Sequence, residues 1–141
     1  MLCEDVMKRR FECISRHNTV EDAAIKMRED NIGFLPVCDR QGRVLGTLTD
    51  RDIAIRVVAD GRLPITLVED VMTSEVVACS PKDTLEKAEA LMARKQKSRV
   101  MCIDDAGVLV GIISLSDIAQ HEEGARALTT FREVSAREAR P

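Results

Sequence analysis

One sequence plan occurs twice in this chain, 65 residues apart, and no gap is needed to align the copies. Laying residues 4–54 on residues 69–119 makes 15 of 51 positions identical, against roughly three expected from average composition. The identical positions include the opening Glu-Asp-Val-Met and the closing Asp-Ile-Ala of each copy. A duplication of this size predicts two similar folding units, and a binding cleft can form where such halves meet.

Each copy is predicted to fold in the order β-α-β-β-α. Apolar residues recur at helical spacing after Asn18 and again after Asp83, and each of these residues is expected to cap its helix with a glutamate three places on. Two short apolar runs flank a turn at Asp39–Gly42, and the same pattern returns around Asp104–Gly107. The predicted class is therefore α/β, in the wider α+β sense, with tandem repeats packed with pseudo-two-fold symmetry.

The duplication divides the chain into three predicted segments. The first repeat is expected over residues 1–62 and the second over residues 63–122, and the short link Gly61–Pro64 predicts that the halves pack directly on one another. Residues 123–141 lie outside the duplication and carry apolar residues spaced three apart. That spacing fits a short docked amphipathic helix, and a flexible tail fits equally well, so both remain open.

Composition narrows the classes of function. The net charge is −3 and the basic residues are spread along the chain, so nucleic acid is not expected as the main partner. There is no signal-peptide pattern, and the longest apolar stretch, Val108–Ile113, is too short to span a membrane. A cytoplasmic location without a membrane partner is therefore predicted. The five cysteines, an odd number without a CxxC pair, are expected to be free, buried thiols.

Each copy closes its second long strand with the pattern Gly-x-x-(Ser/Thr)-x-x-Asp, at Gly46–Asp52 and at Gly111–Asp117. The glycine lets another group approach the backbone closely. The hydroxyl residue, Thr49 or Ser114, is placed to cap the next helix, whose first turn favours anions. The aspartate three residues later can accept two hydrogen bonds, as the two hydroxyls of a ribose would supply. Taken singly, each pattern is also an ordinary helix cap.

These features together resemble the CBS domain, named after cystathionine β-synthase, and the pair resembles a Bateman module. The resemblance covers about residues 2–120. It is carried by the Asp-Val-Met openings, the helix starts Asn18–Val20 and Asp83–Leu85, the run Gly33–Val37, the turn Asp39–Gly42 and the two glycine–hydroxyl–aspartate patterns. The resemblance implies two clefts that bind adenosyl compounds: AMP, ADP, ATP or S-adenosylmethionine.

The resemblance also implies roles for individual residues. The aspartate would hold the ribose hydroxyls, and the hydroxyl residue would lie near the ribose or phosphate. A basic residue at a strand start would face phosphate, and backbone just before the first helix of a repeat would read the adenine. The ribose-holding role falls on Asp52 and Asp117, and the position near the ribose or phosphate falls on Thr49 and Ser114. The phosphate-facing role falls on Arg99, and the adenine-reading role falls on Ile14 and Cys79.

The two clefts are expected to be unequal. In the family, the ribose aspartate of one repeat faces the basic position of the other, so Asp52 would share its cleft with Arg99. Asp117 would face Phe34, which carries no charge. The cleft of Asp52 is therefore predicted to bind a charged nucleotide more tightly than the cleft of Asp117.

The resulting prediction is a stand-alone regulatory sensor and not an enzyme, because no nucleophile or metal-ligand constellation accompanies His17 or His121. It would require no cofactor and would bind an adenosyl nucleotide as a regulatory ligand. It would form a homodimer and signal through a conformational change to a separate, unknown effector protein. Two alternatives remain open: a ligand-free stress-response or interaction module with the same fold, and a redox-responsive module that uses the thiols.

Overall fold

The computed structural model describes residues 1–121 and 125–136. The predicted α/β (α+β) class is confirmed, since two small sheets are each covered by helices. Within the described parts of the chain, none of the helices combines the length and the apolar character needed to cross a bilayer.

Thirteen short elements make up the described chain. In chain order they are α1 (Cys3–Val6), α2 (Val20–Asp30), β1 (Phe34–Cys38), β2 (Val44–Thr49), α3 (Asp50–Ile53) with a π-helical turn (Ala54–Val58), a 3-10 turn (Val68–Asp70), β3 (Ala78–Cys79), α4 (Leu85–Lys95), β4 (Arg99–Ile103), β5 (Leu109–Ser114), α5 (Leu115–His121) and α6 (Ala125–Ser135).

The chain forms two compact units whose boundaries do not follow the repeats. The continuous unit is Glu12–Val76, and the discontinuous unit joins Met1–Phe11 to the chain from Val77 onward. The Glu-Asp-Val-Met that opens the first repeat therefore packs in the unit built by the second repeat. The equivalent segment, residues 69–72, packs in the unit built by the first. The two copies have thus exchanged their opening segments, which are residues 1–11 and residues 69–76.

The two sheets share one plan. In the continuous unit β1 and β2 form an antiparallel hairpin, and Ile14 joins β1 through a parallel bridge to Val37. In the discontinuous unit the order is β3-β4-β5, with β3 parallel to β4 and β4 antiparallel to β5. Ile14 and Cys79 therefore occupy equivalent edge positions, each paired with the first strand of a hairpin.

The exchanged segments add one further backbone contact to each hairpin. Lys8 pairs antiparallel with Ile112 in β5, and Thr73 pairs antiparallel with Thr47 in β2. The N–H of Thr47 donates to the Thr73 carbonyl at 2.9 Å, and the N–H of Lys8 donates to the Ile112 carbonyl at 2.9 Å. Each exchanged segment is thereby fixed in register beside the strand that carries the glycine–hydroxyl–aspartate pattern of that unit.

The first glycine of each glycine–hydroxyl–aspartate pattern is the point where the exchanged segment crosses. A Cβ on Gly46 would lie 2.5 Å from the Thr73 carbonyl oxygen, and a Cβ on Gly111 would meet the Met7 side chain. Close approach at these glycines was predicted from the sequence, and the approaching group is a segment of the protein itself. The glycines therefore serve the packing of each unit.

The N-terminal caps of α2 and α4 lie one residue later than predicted. Thr19, rather than Asn18, caps α2: its hydroxyl accepts from the Asp22 N–H at 3.1 Å, and the Asp22 carboxylate accepts from the Thr19 N–H at 3.0 Å. Glu21 is therefore not the capping-box partner, because the Asn18 side chain accepts a hydrogen bond in the preceding turn instead. In the second repeat Thr84, not the predicted aspartate before it, caps α4: its hydroxyl accepts from the Lys87 N–H at 3.2 Å, and Lys87 carries no carboxylate to complete a capping box.

Part of the predicted C-terminal tail forms the helix α6, which packs on α4, and residues 122–124 and 137–141 lie outside the described residues. Of the three apolar residues spaced three apart, only Val134 is buried, at 1% exposure. Leu128 and Phe131 are 51% and 53% exposed. The spacing therefore predicts the helix but not which of these side chains contacts the body.

The contact between α6 and α4 includes a buried carboxylate. Glu89 on α4 is 5% exposed; its Oε2 lies 3.2 Å from Arg126 Nε and accepts from the Thr130 hydroxyl at 3.4 Å. No donor among the described residues reaches the buried Oε1 of Glu89. Burial raises the pKa of Glu89 above its ordinary value, and the charge of Arg126 only partly opposes that rise.

Glu89 is expected to make stability fall as the pH rises above about 4.5, the ordinary pKa of a glutamate. Above that pH the unfolded chain has released a proton that the folded chain still holds, so deprotonation favours unfolding. Glu89→Gln cannot lose a proton and is expected to flatten the curve of unfolding free energy against pH in this interval. Glu21→Gln, which changes an exposed glutamate on α2 of the other unit, is the control and should retain the wild-type slope. Parallel curves for wild type and Glu89→Gln would contradict this account.

Candidate functional site

The first hydroxyl–aspartate turn lies at the junction of β2 and α3. Thr49 is extended, with ψ of 162°, and its hydroxyl accepts from the Asp52 N–H at 3.1 Å. Asp52 Oδ2 in turn accepts from the Thr49 N–H at 3.0 Å, which completes a capping box. Asp52 Oδ1 is directed toward Arg56, 3.8 Å away on the next helical turn. One carboxylate oxygen therefore holds the turn, and the other remains for an additional partner.

The second turn, between β5 and α5, has the same geometry. Asp117 Oδ2 accepts from the Ser114 N–H at 2.8 Å, and the Ser114 hydroxyl accepts from the Asp117 N–H at 3.1 Å. The difference is at the other oxygen, because Asp117 Oδ1 lies 3.2 Å from Lys8 Nζ. The Asp117 side chain is 5% exposed and that of Lys8 is 68% exposed. A strongly buried carboxylate thus faces a lysine that can readily move.

Strand register decides which residue stands beside each hydroxyl. Arg99, the first residue of β4, is paired with Ser114, and Phe34, the first residue of β1, is paired with Thr49. Within its own unit the arginine therefore lies beside the hydroxyl–aspartate turn of its own repeat. The pairing of Arg99 with Asp52, which was expected from the sequence, joins residues of different units and stays a prediction.

The two turns differ in charge as a result. The turn of Asp117 is flanked by two basic residues, Arg99 from the paired strand and Lys8 from the exchanged segment. The positions equivalent to these two in the continuous unit are Phe34 and Thr73, neither of which is charged. A helix start already favours anions, and two nearby cations strengthen that preference around Asp117, whereas Arg56 is the cation beside Asp52.

The two residues predicted to read adenine lie at the sheet edges. Ile14 is buried, and its N–H donates to the Pro36 carbonyl at 3.0 Å. Cys79 lines a groove of about 490 Å³ between the edge of β3 and α4. The groove is lined by apolar side chains together with Asp83, Lys87 and Arg94. Such a lining suits a flat apolar group with a charged substituent.

Lys8 is the residue of this site that sequence reasoning missed. It stands in a short basic group, Lys8–Arg10, and no pattern links that group to residues more than a hundred positions later. The repeat itself contains the signal that could have found it. Lys8 and Thr73 are equivalent positions, and a lysine against a threonine is one of the charge differences between the copies.

Comparison with known proteins identifies the class. The family model of the CBS domain matches residues 3–59 and 68–124, so the chain belongs to the CBS domain family as a tandem pair of these domains.

Relatives of similar length support this assignment. The chain is 40% identical over 132 residues to the CBS domain-containing protein YhcV of Bacillus subtilis, covering 91% of this chain and 93% of YhcV. It is 35% identical over 118 residues to Hypoxic response protein 1 of Mycobacterium tuberculosis, covering 83% and 82% of the two chains.

A solved structure adds information on ligands. The CBS domain pair of protein MJ0100, solved in complex with 5′-methylthioadenosine and S-adenosyl-L-methionine, matches with a TM-score of 0.74 and 25% identity. The match covers 86% of this chain and 94% of the MJ0100 chain.

Proposed function

We propose that this chain is a regulatory module that binds adenosyl compounds at its two hydroxyl–aspartate turns. The observation that carries the proposal is the repeated geometry of Thr49 with Asp52 and of Ser114 with Asp117, each at a helix start. Each aspartate uses one oxygen for the cap, and its other oxygen can accept from a ribose hydroxyl. The adenosyl complexes of the MJ0100 domain pair support the choice of ligand class.

The charge around the two turns is the basis for assigning a different class of adenosyl compound to each turn. The turn of Asp117, with Lys8 and Arg99 beside it, is suited to a nucleotide that carries phosphate, such as AMP, ADP or ATP. The turn of Asp52 has Phe34 in place of the arginine and is suited to an adenosyl compound without phosphate. This assignment reverses the order of affinities expected from the sequence, because it follows strand register within each unit.

In this function the adenosyl ligand acts as a regulatory signal. Binding stabilises one arrangement of the protein, and we propose that a separate partner protein recognises that arrangement, with a homodimer as the signalling form. The module needs no cofactor and performs no catalysis of its own. A ligand present at a hundred times its dissociation constant adds about 2.7 kcal/mol to the free energy of unfolding.

Titration calorimetry with AMP, ADP, ATP and S-adenosylmethionine tests the proposal. Asp117→Asn keeps an oxygen for the cap but replaces the second acceptor with a donor, so AMP affinity is expected to fall by a factor of about 100. Asp52→Asn changes the other turn. It is therefore expected to leave the affinity for AMP within a factor of about 3 and to lower the affinity for S-adenosylmethionine. For wild type, AMP should raise the melting temperature by roughly 5–10 °C at a hundred times its dissociation constant.

Asp22→Asn provides a matched control, because Asp22 forms the same capping box on α2 outside the glycine pattern. It is expected to leave every affinity unchanged. If Asp22→Asn lowers the affinity for AMP as much as Asp117→Asn does, the effect is one of helix capping, and the proposed nucleotide site at Asp117 is refuted. If wild type shows neither heat nor a melting shift with any of the four compounds, the chain is a ligand-free module.

A further inference from the structure

Two thiols of the continuous unit are held in contact at the edge of its sheet. Cys13 Sγ and Cys38 Sγ lie 3.2 Å apart, and the Cys38 thiol donates to the Cys13 sulfur. Backbone hydrogen bonds on both sides of the pair fix this arrangement. The Ile14 N–H donates to the Pro36 carbonyl, and the Cys38 N–H donates to the Ile14 carbonyl, each at 3.0 Å. The contact is therefore built into the strand pairing.

The two thiols differ in access. Cys38 is 8% exposed, whereas Cys13 is only half-buried and precedes the edge contact of Ile14. A reagent dissolved in water can therefore reach Cys13 first, and Cys38 is placed behind it. This is the arrangement of an attacking and a resolving cysteine.

The surroundings also favour the thiolate at Cys13. The hydrogen bond from Cys38 lowers the pKa of the Cys13 thiol, and the ammonium of Lys26 acts in the same direction. Burial and the carboxylate of Glu12, which lies 2.9 Å from Lys26, oppose that shift. The pKa of Cys38 is raised, chiefly because its proton is shared with Cys13. The thiolate is the reactive form of cysteine, so Cys13 is the more reactive of these two thiols.

The other three cysteines provide an internal comparison. Cys3, Cys79 and Cys102 form a cluster in the core of the discontinuous unit, with Cys79 Sγ 3.6 Å from Cys3 Sγ and 3.7 Å from Cys102 Sγ. Their residues are 0–9% exposed. These sulfurs are close together as well, but even Cys79, which lines the groove between β3 and α4, is less exposed than Cys13 and comparable to Cys38.

We propose that Cys13 and Cys38 form a peroxide-reactive dithiol site that closes into a disulfide. The Cys13 thiolate attacks one oxygen of hydrogen peroxide or an organic hydroperoxide; the O–O bond breaks, and hydroxide or alkoxide leaves with the bonding pair. The resulting Cys13 sulfenic acid is attacked by Cys38, which loses its proton as the S–O bond breaks, and that proton converts the departing hydroxide to water. With hydrogen peroxide, the hydroxide released in the first step takes up the proton that Cys13 lost on forming the thiolate. Two thiols are thus oxidised by two electrons, one peroxide is reduced, and two waters form.

The closure requires little movement. The sulfur–sulfur distance must shorten from 3.2 Å to about 2.0 Å. The residue that can move is Cys13, since it precedes the first backbone hydrogen bond to β1 at Ile14. The disulfide closes a loop that contains α2, and such a loop restricts the unfolded chain. This inference is independent of nucleotide binding.

The test is oxidation of the full chain by a few equivalents of hydrogen peroxide, followed by alkylation of the remaining thiols and non-reducing peptide mass spectrometry. The expected product is a Cys13–Cys38 cross-link that dithiothreitol reverses, with three of the five thiols still free. The oxidised protein should melt roughly 5–10 °C above the reduced protein. Oxidation of Cys13 without a link to Cys38, or a cross-link within the buried cluster instead, would overturn the proposal.

Single variants separate the two roles and remain informative without the cross-link. In Cys38→Ser the sulfenic acid at Cys13 cannot be resolved, so a dimedone adduct is expected there. In Cys13→Ser no adduct should form at Cys38. Cys102→Ala, which changes the buried cluster, is the control and should form the Cys13–Cys38 link in wild-type yield. An equal dimedone yield at Cys38 in Cys13→Ser would show that access does not distinguish the two thiols and would refute the assigned order.

Discussion

Deletion of residues 1–11 is expected to unfold the discontinuous unit, although the deleted segment belongs by sequence to the first repeat. Cys3, Val6 and Met7 are 0%, 6% and 8% exposed in that unit's core. Burying one aliphatic side chain contributes about 1.5–3 kcal/mol, so the loss is about 5 kcal/mol. A loss of this size is comparable to the whole stability of many domains. The deletion also removes the backbone hydrogen bonds of the exchanged segment to β5 and to the loop before α4.

Hydrogen exchange followed by mass spectrometry checks this result. The amides of β4 and β5 should lose their protection in the truncated chain, since their edge and core partners are gone. The control is the double variant Arg9→Ala and Arg10→Ala, which changes only exposed residues of the same segment and should keep native protection. Native protection of β4 in the truncated chain would show that the second repeat is complete without the exchanged segment.

Gly46→Ala is expected to destabilise the continuous unit by about 3 kcal/mol. The added methyl group would lie 2.5 Å from the Thr73 carbonyl oxygen and 3.2 Å from Met72 Sδ. The nearest atom is backbone and cannot rotate away as a side chain would. The Thr47–Thr73 pairing must therefore open or β2 must shift. Chemical denaturation should show a lower midpoint with an unchanged slope.

Gly61→Ala is the control for this substitution. Gly61 has a φ of +69° and no neighbouring atom within 4 Å, so alanine there suffers backbone strain alone. That strain costs about 1–2 kcal/mol. If Gly46→Ala is no more destabilising than Gly61→Ala, the crossing of the exchanged segment is not the constraint that keeps residue 46 a glycine.

Local features of this fold could be predicted from the sequence because they depend on neighbouring residues. Helical periodicity after residues 18 and 83 predicts two helices, which are confirmed as α2 and α4. The hairpin turns follow from the glycines at 42 and 107, which both adopt φ of +83°. The caps predicted for α2 and α4 were wrong by one residue, since Asn18 and Thr19 can both cap a helix and only the path of the preceding turn decides between them. The caps predicted at Thr49 and Ser114 are confirmed.

The exchange of opening segments could not be predicted in the same way. Alignment of two copies shows which positions are equivalent, but an identical Glu-Asp-Val-Met fits either unit equally well. The choice depends on tertiary packing, such as Met7 against Gly111, between residues far apart in the chain. For the same reason Lys8 was missed as a neighbour of Asp117, while Thr49 and Asp52, three positions apart, were found together.

The exchanged segments also bear on the order in which the protein folds during synthesis. The continuous unit is finished once Val76 has been made. Met1–Phe11, which is made before the continuous unit, must wait for β5 at Leu109–Ser114. At ribosomal speeds that wait spans roughly 100 residues, or roughly 5–20 s. Residues made before the continuous unit are thus packed after it, and their apolar side chains stay open to chaperones or to other nascent chains in the meantime.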